Sequence, residues 1–331
     1  MMRGVVCTGN STVEIREFPD PRPEKGEALI QIGVSAICGS ELGQYRSEAG
    51  SKGSVPGHEM MGSVIEVNGT RGLSVGDRVA IQIMSGCGKC YYCNRGEPMH
   101  CLNLIYLQGG HGELVCAPEM CCLPLPDEID DELGVLLGGD LVGTSYRAVK
   151  RLGVTALDTV AVLGAGPVGL GVLAILCFLG ARTIVSEASE YRRRLAKTLG
   201  ASHVFDPNEV NVTEAVSDLT GGLGADITID CSGTQGTLTA ALECVRDFGK
   251  VALVGEKRNV TVSPSDQIIH KEIEIIGSFY FNAADFKEIL GLRKRGFSTD
   301  GIVSHRVPLV EADQAFATFA SGDSGKVLIL R

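Results

Sequence analysis

Residues 160–171 read VAVLGAGPVGLG, and this stretch decides the fold. Its apolar start is typical of a buried parallel strand. Gly164, Gly166 and Gly169 follow in G-x-G-x-x-G spacing, and the apolar segment after them predicts a helix packed on the sheet. We interpret Gly164 as the tight turn, Gly166 as the approach of the backbone to a pyrophosphate, and Gly169 as the helix–strand contact.

The rest of the loop and the end of the next strand complete a dinucleotide site. Pro167 and Val168 lie between the last two glycines, where the helix N-terminus would take the pyrophosphate charge. Glu187 ends the next apolar run, TIVSE, where a carboxylate can bind the adenosine ribose hydroxyls. Because a carboxylate repels a 2′-phosphate, the sequence favours NAD, although the nearby Arg192 weakens that preference and keeps NADP open.

The first 125 or so residues and the residues from about 158 onward differ in their pattern of strand-like and helix-like runs. From about residue 158 onward, strand-like and helix-like runs alternate, which implies parallel strands joined by crossover helices. The first 125 or so residues carry short β-like runs broken by Gly and Pro. We therefore predict an α/β protein with two domains. A β-rich domain covers 1–126 and is completed by 276–331, and a doubly wound Rossmann domain with a parallel sheet covers 127–275.

Composition excludes several classes of function. The chain has 331 residues, 44% of them hydrophobic, and a net charge of −10, which argues against a nucleic-acid partner. No run approaches the roughly 20 apolar residues of a membrane span, and no secretory signal is apparent. We expect a cytoplasmic protein, in which thiols stay reduced.

Residues 85–101 read SGCGKCYYCNRGEPMHC and concentrate four cysteines. Cys87, Cys90, Cys93 and Cys101 have C-x2-C-x2-C-x7-C spacing, which suits a shell of four thiolates around one zinc ion. Iron–sulfur clusters also take four thiolates, and an empty or oxidised lobe is the next alternative. Since a four-thiolate shell leaves no open position, zinc held here would be structural and not catalytic.

A second, sparser set of metal-binding residue types lies in AICGSE, PGHEMMG and LLGGDLVGT. Taken singly, a Cys among apolar residues suits a core and an Asp before a helix suits a cap. In order with GGHGELV, VLGAGPVGLG, DCSG and GSF, however, these motifs resemble the medium-chain, zinc-dependent alcohol and polyol dehydrogenases over essentially the full length. The resemblance implies a GroES-like catalytic domain formed by both ends of the chain, and a catalytic zinc in the cleft.

The resemblance also implies roles for individual residues of the metal site. Cys38 and His58 match the first two zinc ligands, and Asp140 matches the third. Glu59 matches an acid that either supports the ligands or binds zinc transiently. One thiolate, one imidazole and one carboxylate leave a position open for a substrate oxygen, as Lewis-acid catalysis requires.

Two further roles come from the resemblance. Ser40 matches the hydroxyl that passes the substrate proton, and Thr144 matches a residue that lines the nicotinamide pocket. The chain departs from the family's pattern where Glu41 replaces the usual Asp, and where Gly43 stands near the position of a His that ends the proton relay. The route of the proton beyond Ser40 is therefore open between water, the cofactor ribose and Glu41.

Three polar residues suggest the substrate class. Resemblance places His111 where relatives often have an aromatic pocket residue, and Gln44 and Tyr280 could reach the same cleft. Polar groups that bind a substrate hydroxyl discriminate strongly against analogues that lack it. We expect a secondary hydroxyl on a polyol, sugar or cyclitol, while the alternative for His111 is a surface or strand-capping histidine.

The sequence thus predicts an oxidoreductase that uses NAD and two zinc ions per chain to interconvert a small-molecule alcohol and ketone. Alternatives are a simple secondary-alcohol dehydrogenase using NADP(H), a zinc-independent quinone reductase-like enzyme, and a scaffold without catalytic activity. Pairing of nucleotide domains in relatives implies a homodimer or homotetramer, with KVALVGE and EIEIIGSF as candidate contacts.

Overall fold

The computed structural model describes residues 1–256 and 259–331, which form two compact units. The first unit comprises Met1–Gly143, Phe281–Gly291 and Val303–Arg331. The second comprises Thr144–Tyr280 and Leu292–Ile302. No helix in the described part of the chain has the length and apolar character to span a bilayer.

Within the described residues, strands and helices alternate along the chain with the following bounds. The strands are β1 (Met2–Gly9), β2 (Thr12–Phe18), β3 (Glu27–Ala36), β4 (Glu59–Val67), β5 (Arg78–Ile81), β6 (Met84–Ser85), β7 (Ile105–Tyr106), β8 (Leu114–Pro118), β9 (Cys122–Pro124), β10 (Thr159–Leu163), β11 (Arg182–Ser186), β12 (His203–Phe205), β13 (Ala225–Asp230), β14 (Val245–Leu253), β15 (Glu274–Gly277), β16 (Val303–Pro308) and β17 (Lys326–Leu330). The α-helices are α1 (Leu42–Arg46), α2 (Tyr91–Asn94), α3 (Asp131–Leu137), α4 (Gly143–Leu152), α5 (Pro167–Leu179), α6 (Glu190–Thr198), α7 (Val212–Leu219), α8 (Gln235–Cys244), α9 (Ala283–Lys294) and α10 (Ala312–Ser321). Short 3-10 turns are Gly39–Glu41, Pro98–His100, Glu119–Cys121 and Leu309–Glu311, and a π turn is Ser265–Ile269.

The second unit is built on a six-stranded sheet in the order β12-β11-β10-β13-β14-β15, and every neighbouring pair is parallel. This order is that of a doubly wound nucleotide-binding sheet and confirms the predicted fold class. β10 lies at the point where the strand order reverses, and four of its five residues are buried, which explains its apolar sequence. The glycine loop follows β10 at its carboxyl end, where such sheets bind ligands.

Two local predictions for this sheet are wrong. The run TQGTLTAALECVRDFG, residues 234–249, predicts a single helix. The helix ends at Cys244 instead, because Val245 adopts extended backbone angles and begins β14. KVALVGE lies largely in β14, which is paired on both sides by β13 and β15 and so offers no edge. β15 forms the edge of the sheet, and its residues are mostly exposed.

The first unit contains a seven-stranded, mostly antiparallel sheet. Its main path is β16-β17-β3-β4-β5-β9, and β8 pairs with β3. β3 is the longest strand and joins β17, β4 and β8 by antiparallel ladders. β17 therefore brings a late segment of the chain directly beside β3, with Leu328 opposite Ala36.

Each unit has its own apolar core. In the first unit, helix α10 packs Ala315, Phe316 and Phe319 against β17 and β1. In the second unit, side chains of α7 and α8 pack on β10, β13 and β14. Both cores hold the strands that carry the polar residues described below.

Gly169 provides a test of the contact between α5 and the loop after β10. A Cβ atom at Gly169 would lie 2.0 Å from the carbonyl oxygen of Gly164, whereas a Cβ at Gly236 in α8 would meet only the Thr234 hydroxyl at 4.0 Å. We expect Gly169→Ala to destabilise the protein by about 1–3 kcal/mol through overpacking. Gly236→Ala, the matched control in an exposed first turn, should be neutral or stabilise by up to ~1 kcal/mol.

Urea unfolding of both variants, followed by circular dichroism, measures this difference. Equal unfolding midpoints for Gly169→Ala and Gly236→Ala would contradict the close contact. Titration with NAD of the folded Gly169→Ala protein should also show weaker binding, because the loop must shift to admit the methyl group.

Candidate functional site

Four potential metal ligands from distant parts of the chain meet in the first unit. One donor atom each of Cys38, His58, Glu59 and Asp140 lies within 4.8 Å of all the others. Cys38 directly precedes the turn Gly39–Glu41 after β3, while His58 and Glu59 stand at the start of β4. Asp140 follows α3. The paired strands β3 and β4 therefore present three of these residues together, and the end of α3 adds the fourth.

The separations suit a tetrahedral zinc ion. Asp140 Oδ2 lies 3.4 Å from Cys38 Sγ and 3.1 Å from His58 Nε2. Zinc bonds of about 2.3 Å to sulfur and 2.0–2.2 Å to nitrogen or oxygen place neighbouring donors roughly 3.3–3.6 Å apart at tetrahedral angles. The two Asp140 separations thus match those between ligands of a tetrahedral zinc, and the donor atoms of Cys38 and His58 lie within 4.8 Å of each other.

Electrostatics also favours a cation among these groups. Burial raises the pKa of the Cys38 thiol, and the Asp140 carboxylate raises it further. Burial likewise raises the pKa of Glu59 to about 7, although the Lys326 ammonium opposes that shift. Two carboxyl groups and a thiol packed this closely resist full ionisation, and a divalent cation would remove that resistance.

Glu59 is committed to protein partners. Its Oε2 accepts a hydrogen bond of 3.1 Å from the Asp140 backbone N–H, and its Oε1 is ion-paired with Lys326 Nζ. Both side chains of this pair are fully buried. A Cβ atom at Gly139 would lie 2.6 Å from Glu59 Oε2, so the glycine makes room for the carboxylate. Asp140 is thus the carboxylate whose oxygen lies directly beside Cys38 and His58.

Glu41 lies behind His58. Glu41 Oε1 lies 3.2 Å from His58 Nδ1, an ion-pair distance at which the angle falls short of a hydrogen bond. Glu41 Oε2 accepts a hydrogen bond of 3.3 Å from the Cys38 backbone N–H. Burial opposes ionisation of this carboxyl, but the His111 and His58 rings outweigh it and hold its pKa below its usual range. A proton on His58 Nδ1 faces this carboxylate, which leaves Nε2 free to face a metal.

The placement of His111 contradicts its predicted role in the substrate pocket. The residue is wholly inaccessible to solvent, and both ring nitrogens have protein partners: Glu41 Oε2 at 3.0 Å and Ser35 Oγ at 2.9 Å. Its backbone N–H donates to the carbonyl of Pro56, which draws the residue inward ahead of β8. No ring nitrogen remains for a substrate hydroxyl, so neither the pocket role nor a surface position holds.

The other predicted residues fall in both units. Ser40 is exposed on the turn directly after Cys38, and Gln44 is exposed on α1. Thr144 and Tyr280 belong to the second unit and are buried there. The roles of these four residues stay predictions.

The four cysteines of the lobe converge separately from the first group. Their sulfur atoms lie within 4.8 Å of one another, with Cys90 Sγ 3.5 Å from Cys93 Sγ and 3.7 Å from Cys101 Sγ. A tetrahedral zinc with Zn–S bonds of about 2.3 Å requires sulfur separations of roughly 3.8 Å. All twelve cysteines are unbridged, and a disulfide would need about 2.05 Å.

Backbone groups favour thiolates in this lobe. The N–H groups of Cys87 and Asn103 both donate to Cys101 Sγ at 3.3 Å. The backbone of Lys89, followed by the Cys101 side chain, lowers the pKa of Cys87 to about 6. Burial and the Cys90 side chain raise the pKa of Cys93 to about 11, so the four thiols do not all ionise readily without a cation. Metal ligation needs thiolates, and a bound cation would favour them.

The glycine loop has the geometry of an anion site. Gly164 has φ +92°, a left-handed conformation that suits glycine. Gly166 is the N-cap of α5 and makes no side-chain cap, and Pro167 occupies the first helical turn. The N–H groups at this helix start are therefore available to a phosphate. A Cβ at Gly166 would meet only Arg192 Nη1, at 3.9 Å, which puts this guanidinium beside the loop.

Glu187 is anchored beside the same loop. The carboxylate accepts hydrogen bonds from the Ala165 N–H at 2.6 Å and the Ser189 N–H at 2.8 Å. Ser189 also caps α6 by accepting from the Arg192 N–H. The acid predicted to bind the ribose thus lies at the loop, and Arg193 Nη1 donates to its backbone carbonyl at 2.9 Å.

Sequence reasoning missed Lys326. This lysine begins β17, and its side chain is fully buried against Glu59. A single lysine before the apolar run VLIL is the only local signal, and an ordinary strand start gives the same signal. The pairing of β17 with β3 is what brings the ammonium to Glu59, and neither segment alone contains that information.

Comparisons with known proteins identify the relatives of both units. Residues 24–127 match the alcohol dehydrogenase GroES-like domain, and residues 167–295 match the zinc-binding dehydrogenase domain. An uncharacterised zinc-type alcohol dehydrogenase-like protein of Escherichia coli is 33% identical over 99% of this chain and 98% of that protein. Sorbitol dehydrogenase of Halalkalibacterium halodurans is 30% identical over 99% of each. The structure of alcohol dehydrogenase TADH from Thermus sp. ATN1 gives a TM-score of 0.90 at 29% identity, with 99% of each chain covered.

The buried pair of Lys326 and Glu59 generates a stability prediction. Lys326→Met leaves the Glu59 carboxyl without its ammonium partner, and breaking a buried pair on one side costs about 3–5 kcal/mol. We expect Lys326→Met to lower the free energy of unfolding by that amount, as measured by urea denaturation. The double variant Lys326→Met/Glu59→Gln should recover part of the loss, because no unpaired acid remains.

Lys287→Met is the matched control, since Lys287 is exposed on α9. Its unfolding midpoint should equal that of the unmodified protein. If Lys326→Met behaves like this control, the buried ion pair does not stabilise the fold.

Proposed function

The chain belongs to the zinc-binding alcohol dehydrogenases of the medium-chain dehydrogenase family, and from this premise we propose its specific activity. It oxidises a secondary hydroxyl of a polyol, sugar or cyclitol to the ketone, with transfer of a hydride to NAD, and it catalyses the reverse reduction. The observation that carries the proposal is the convergence of Cys38, His58 and Asp140 within 4.8 Å.

Two groups of residues in the chain would each hold one zinc ion. Cys38, His58 and Asp140 would hold a catalytic ion, which would supply Lewis-acid chemistry to a substrate oxygen. Glu59 would not ligate this ion and orients Asp140 through the Asp140 backbone N–H. The four cysteines of the lobe would hold a structural ion, because four thiolates leave no open position.

Side chains near the proposed metal ligands would transfer the substrate proton and balance the charge of Glu59. Ser40 is exposed on the turn after Cys38, and its oxygen takes the proton of the substrate hydroxyl while its own hydroxyl proton passes to solvent water. The buried Lys326 balances Glu59, so that the acid next to Asp140 adds no net charge. Thr144 contributes to the nicotinamide pocket of the second unit. The cofactor supplies the hydride chemistry, and these residues supply alignment and charge.

NAD is the preferred cofactor. Pyrophosphate is bound by the N–H groups at the start of α5, with Gly164, Gly166 and Gly169 giving the backbone its close approach. Glu187 accepts hydrogen bonds from the ribose hydroxyls and repels the 2′-phosphate of NADP. Arg192 beside Gly166 offers a cation to the pyrophosphate, which does not require a 2′-phosphate.

The proposed substrate class rests on polar groups and on relatives. Gln44 offers an exposed amide on α1, close in sequence to Ser40. A relative that aligns over 99% of this chain is a sorbitol dehydrogenase, an enzyme named for a polyol. A site that binds several hydroxyls rejects aliphatic alcohols, because its polar groups would be left unpaired.

Steady-state kinetics tests the proposal. We expect higher kcat/KM for polyols, sugars or cyclitols with NAD than for ethanol or 2-propanol, and a lower value with NADP. Asp140→Ala should remove one zinc per chain and lower kcat/KM by roughly a thousandfold, since Lewis-acid stabilisation is worth several kcal/mol. Metal content is measured by plasma mass spectrometry.

Asp127→Ala is the control, because Asp127 is an exposed acid of the same unit. It should retain both zinc ions and full activity. Preference for simple alcohols would contradict the substrate class, and full activity in zinc-free Asp140→Ala would contradict the metal mechanism. Absence of turnover across the whole panel would favour a scaffold without catalysis.

The exposed edge strand β15 supports a homodimer. β15 ends the six-stranded sheet, and Ile275 and Phe279 are 41% and 43% exposed there. An unpaired edge with apolar side chains is a template for pairing with a second copy of the strand. A tetramer could then form from two such dimers.

Sedimentation velocity tests the pairing. Ile275→Lys should convert the dimer or tetramer to a smaller species, because a charge on the edge opposes strand pairing. Leu157→Lys, at a residue that is 94% exposed on the same unit, is the matched control and should sediment like the unmodified protein. An unchanged sedimentation coefficient for Ile275→Lys would refute pairing through β15.

A further inference from the structure

A buried chain of polar contacts runs from the candidate zinc ligand His58 to Arg331. Glu41 bridges the two imidazoles, with Oε1 3.2 Å from His58 Nδ1 and Oε2 3.0 Å from His111 Nε2. Ser35 Oγ lies 2.9 Å from His111 Nδ1 and 2.8 Å from Arg331 Nη1. Ser35, Glu41, His58 and His111 are all buried.

Chemistry fixes the direction of the hydrogen bonds at the two ends of this chain. A guanidinium can only donate, so Arg331 donates to Ser35 Oγ. We assign the Ser35 hydroxyl proton to the contact with His111 Nδ1, which makes Ser35 the donor there. The His111 proton then lies on Nε2 and is donated to Glu41, which as a carboxylate can only accept. His58 presents its Nδ1 proton to the same carboxylate. The remaining nitrogen of His58, Nε2, carries the lone pair that a metal requires.

Glu41 needs His111 to hold its orientation. Its Oε1 forms no hydrogen bond in the described structure, so the carboxylate is fixed through Oε2, by His111 at 3.0 Å and the Cys38 N–H at 3.3 Å. The donor from His111 is the shorter of these two contacts. Without it, the flexible glutamate side chain could turn Oε1 away from His58.

Backbone contacts with the segment before His58 fix the position of His111. Gly57, next to His58, has φ +101°, and a Cβ there would lie 2.8 Å from the His111 ring carbon Cγ. Gly110 N–H donates to the Gly57 carbonyl, and His111 N–H donates to that of Pro56. The segment that carries the ligand His58 and the segment that carries His111 are thus joined without space for a side chain at residue 57.

We propose that His111, held by Ser35 and Arg331, is a positioning residue for the catalytic zinc: it fixes Glu41, which sets the tautomer and orientation of the ligand His58. This inference rests on the proposed function, because it assigns the catalytic zinc to the group of Cys38, His58 and Asp140. His111 touches neither substrate nor cofactor. Partners of this kind behind metal ligands change metal affinity by about 10–100-fold when they are replaced.

Zinc affinity, measured by chelator competition on the full chain, tests the proposal. Two classes of zinc are expected, and Asp140→Ala identifies the catalytic class as the one it removes. His111→Phe should weaken the catalytic class about 10–100-fold and leave the four-cysteine class unchanged. His111→Gln, which keeps an N–H donor for Glu41, should recover most of the affinity.

Phe316→Leu is the matched control for packing. Phe316 lies edge-on to His111 with ring centroids 5.6 Å apart, so this variant loosens the same core and leaves the polar chain intact. It should lower the unfolding midpoint without changing either class of zinc. If Phe316→Leu weakens the catalytic zinc as much as His111→Phe does, packing and not the hydrogen bond is responsible, and the proposal is wrong.

Further outcomes separate this inference from the function on which it rests. Unchanged zinc affinity in folded His111→Phe overturns the role of His111 alone. Should His111→Phe not fold, Ser35→Ala takes its place: weaker catalytic zinc supports the proposal, and unchanged affinity overturns it. Zinc content unaffected by Asp140→Ala overturns the proposed function, and the role of His111 with it.

Discussion

Packing two carboxyl groups, a thiol and an imidazole into one buried space is the constraint on which this structure depends. Burial raises the pKa of both Cys38 and Glu59, and the negative charge of Asp140 raises both further. Nearby cations reduce this repulsion between buried negative charges. Lys326 is already present beside Glu59, and the geometry of the remaining three donors suits a zinc ion. The fold of the first unit can be understood as the means of assembling these charges.

The long strand β3 accomplishes most of that assembly. It delivers Cys38 and Glu41 just beyond its end, pairs with β4 to place His58 and Glu59, and pairs with β17 to place Lys326. Its buried Ser35 contributes to the support of His58 from the other direction. The chain must therefore return to the first unit after forming the second, because β17 supplies the Lys326 ammonium that pairs with Glu59.

Features encoded by adjacent residues could be predicted from the sequence. The glycine loop, its strand and its helix are one continuous segment, and the four cysteines lie within fifteen residues of one another. The group of Cys38, His58 and Asp140 could be assembled only through the resemblance to a family, since nothing local ties them together. Lys326 and the partners of His111 were beyond reach, because strand register and a close approach at Gly57 create those contacts. Even the end of α8 depended on such a contact: Val245 extends to pair with Ala225 in β13.

The formal charges at the site fall into three groups: the zinc ligands, the pair of Glu59 and Lys326, and Glu41. A Cys38 thiolate and an Asp140 carboxylate together cancel the two charges of a zinc ion, and Lys326 cancels Glu59. Glu41 is a further buried carboxylate, and it lies between the His58 and His111 rings. Arg331 lies at the other end of the same chain of contacts. Hydrogen bonds through Ser35 and His111 therefore connect its guanidinium to the Glu41 carboxylate. A phenylalanine at residue 111 would interrupt this chain and remove the shorter of the two hydrogen bonds that Glu41 Oε2 accepts, at 3.0 Å from His111 and 3.3 Å from the Cys38 N–H. The support behind the ligand His58 is therefore a chain of hydrogen bonds, and its geometry depends on His111.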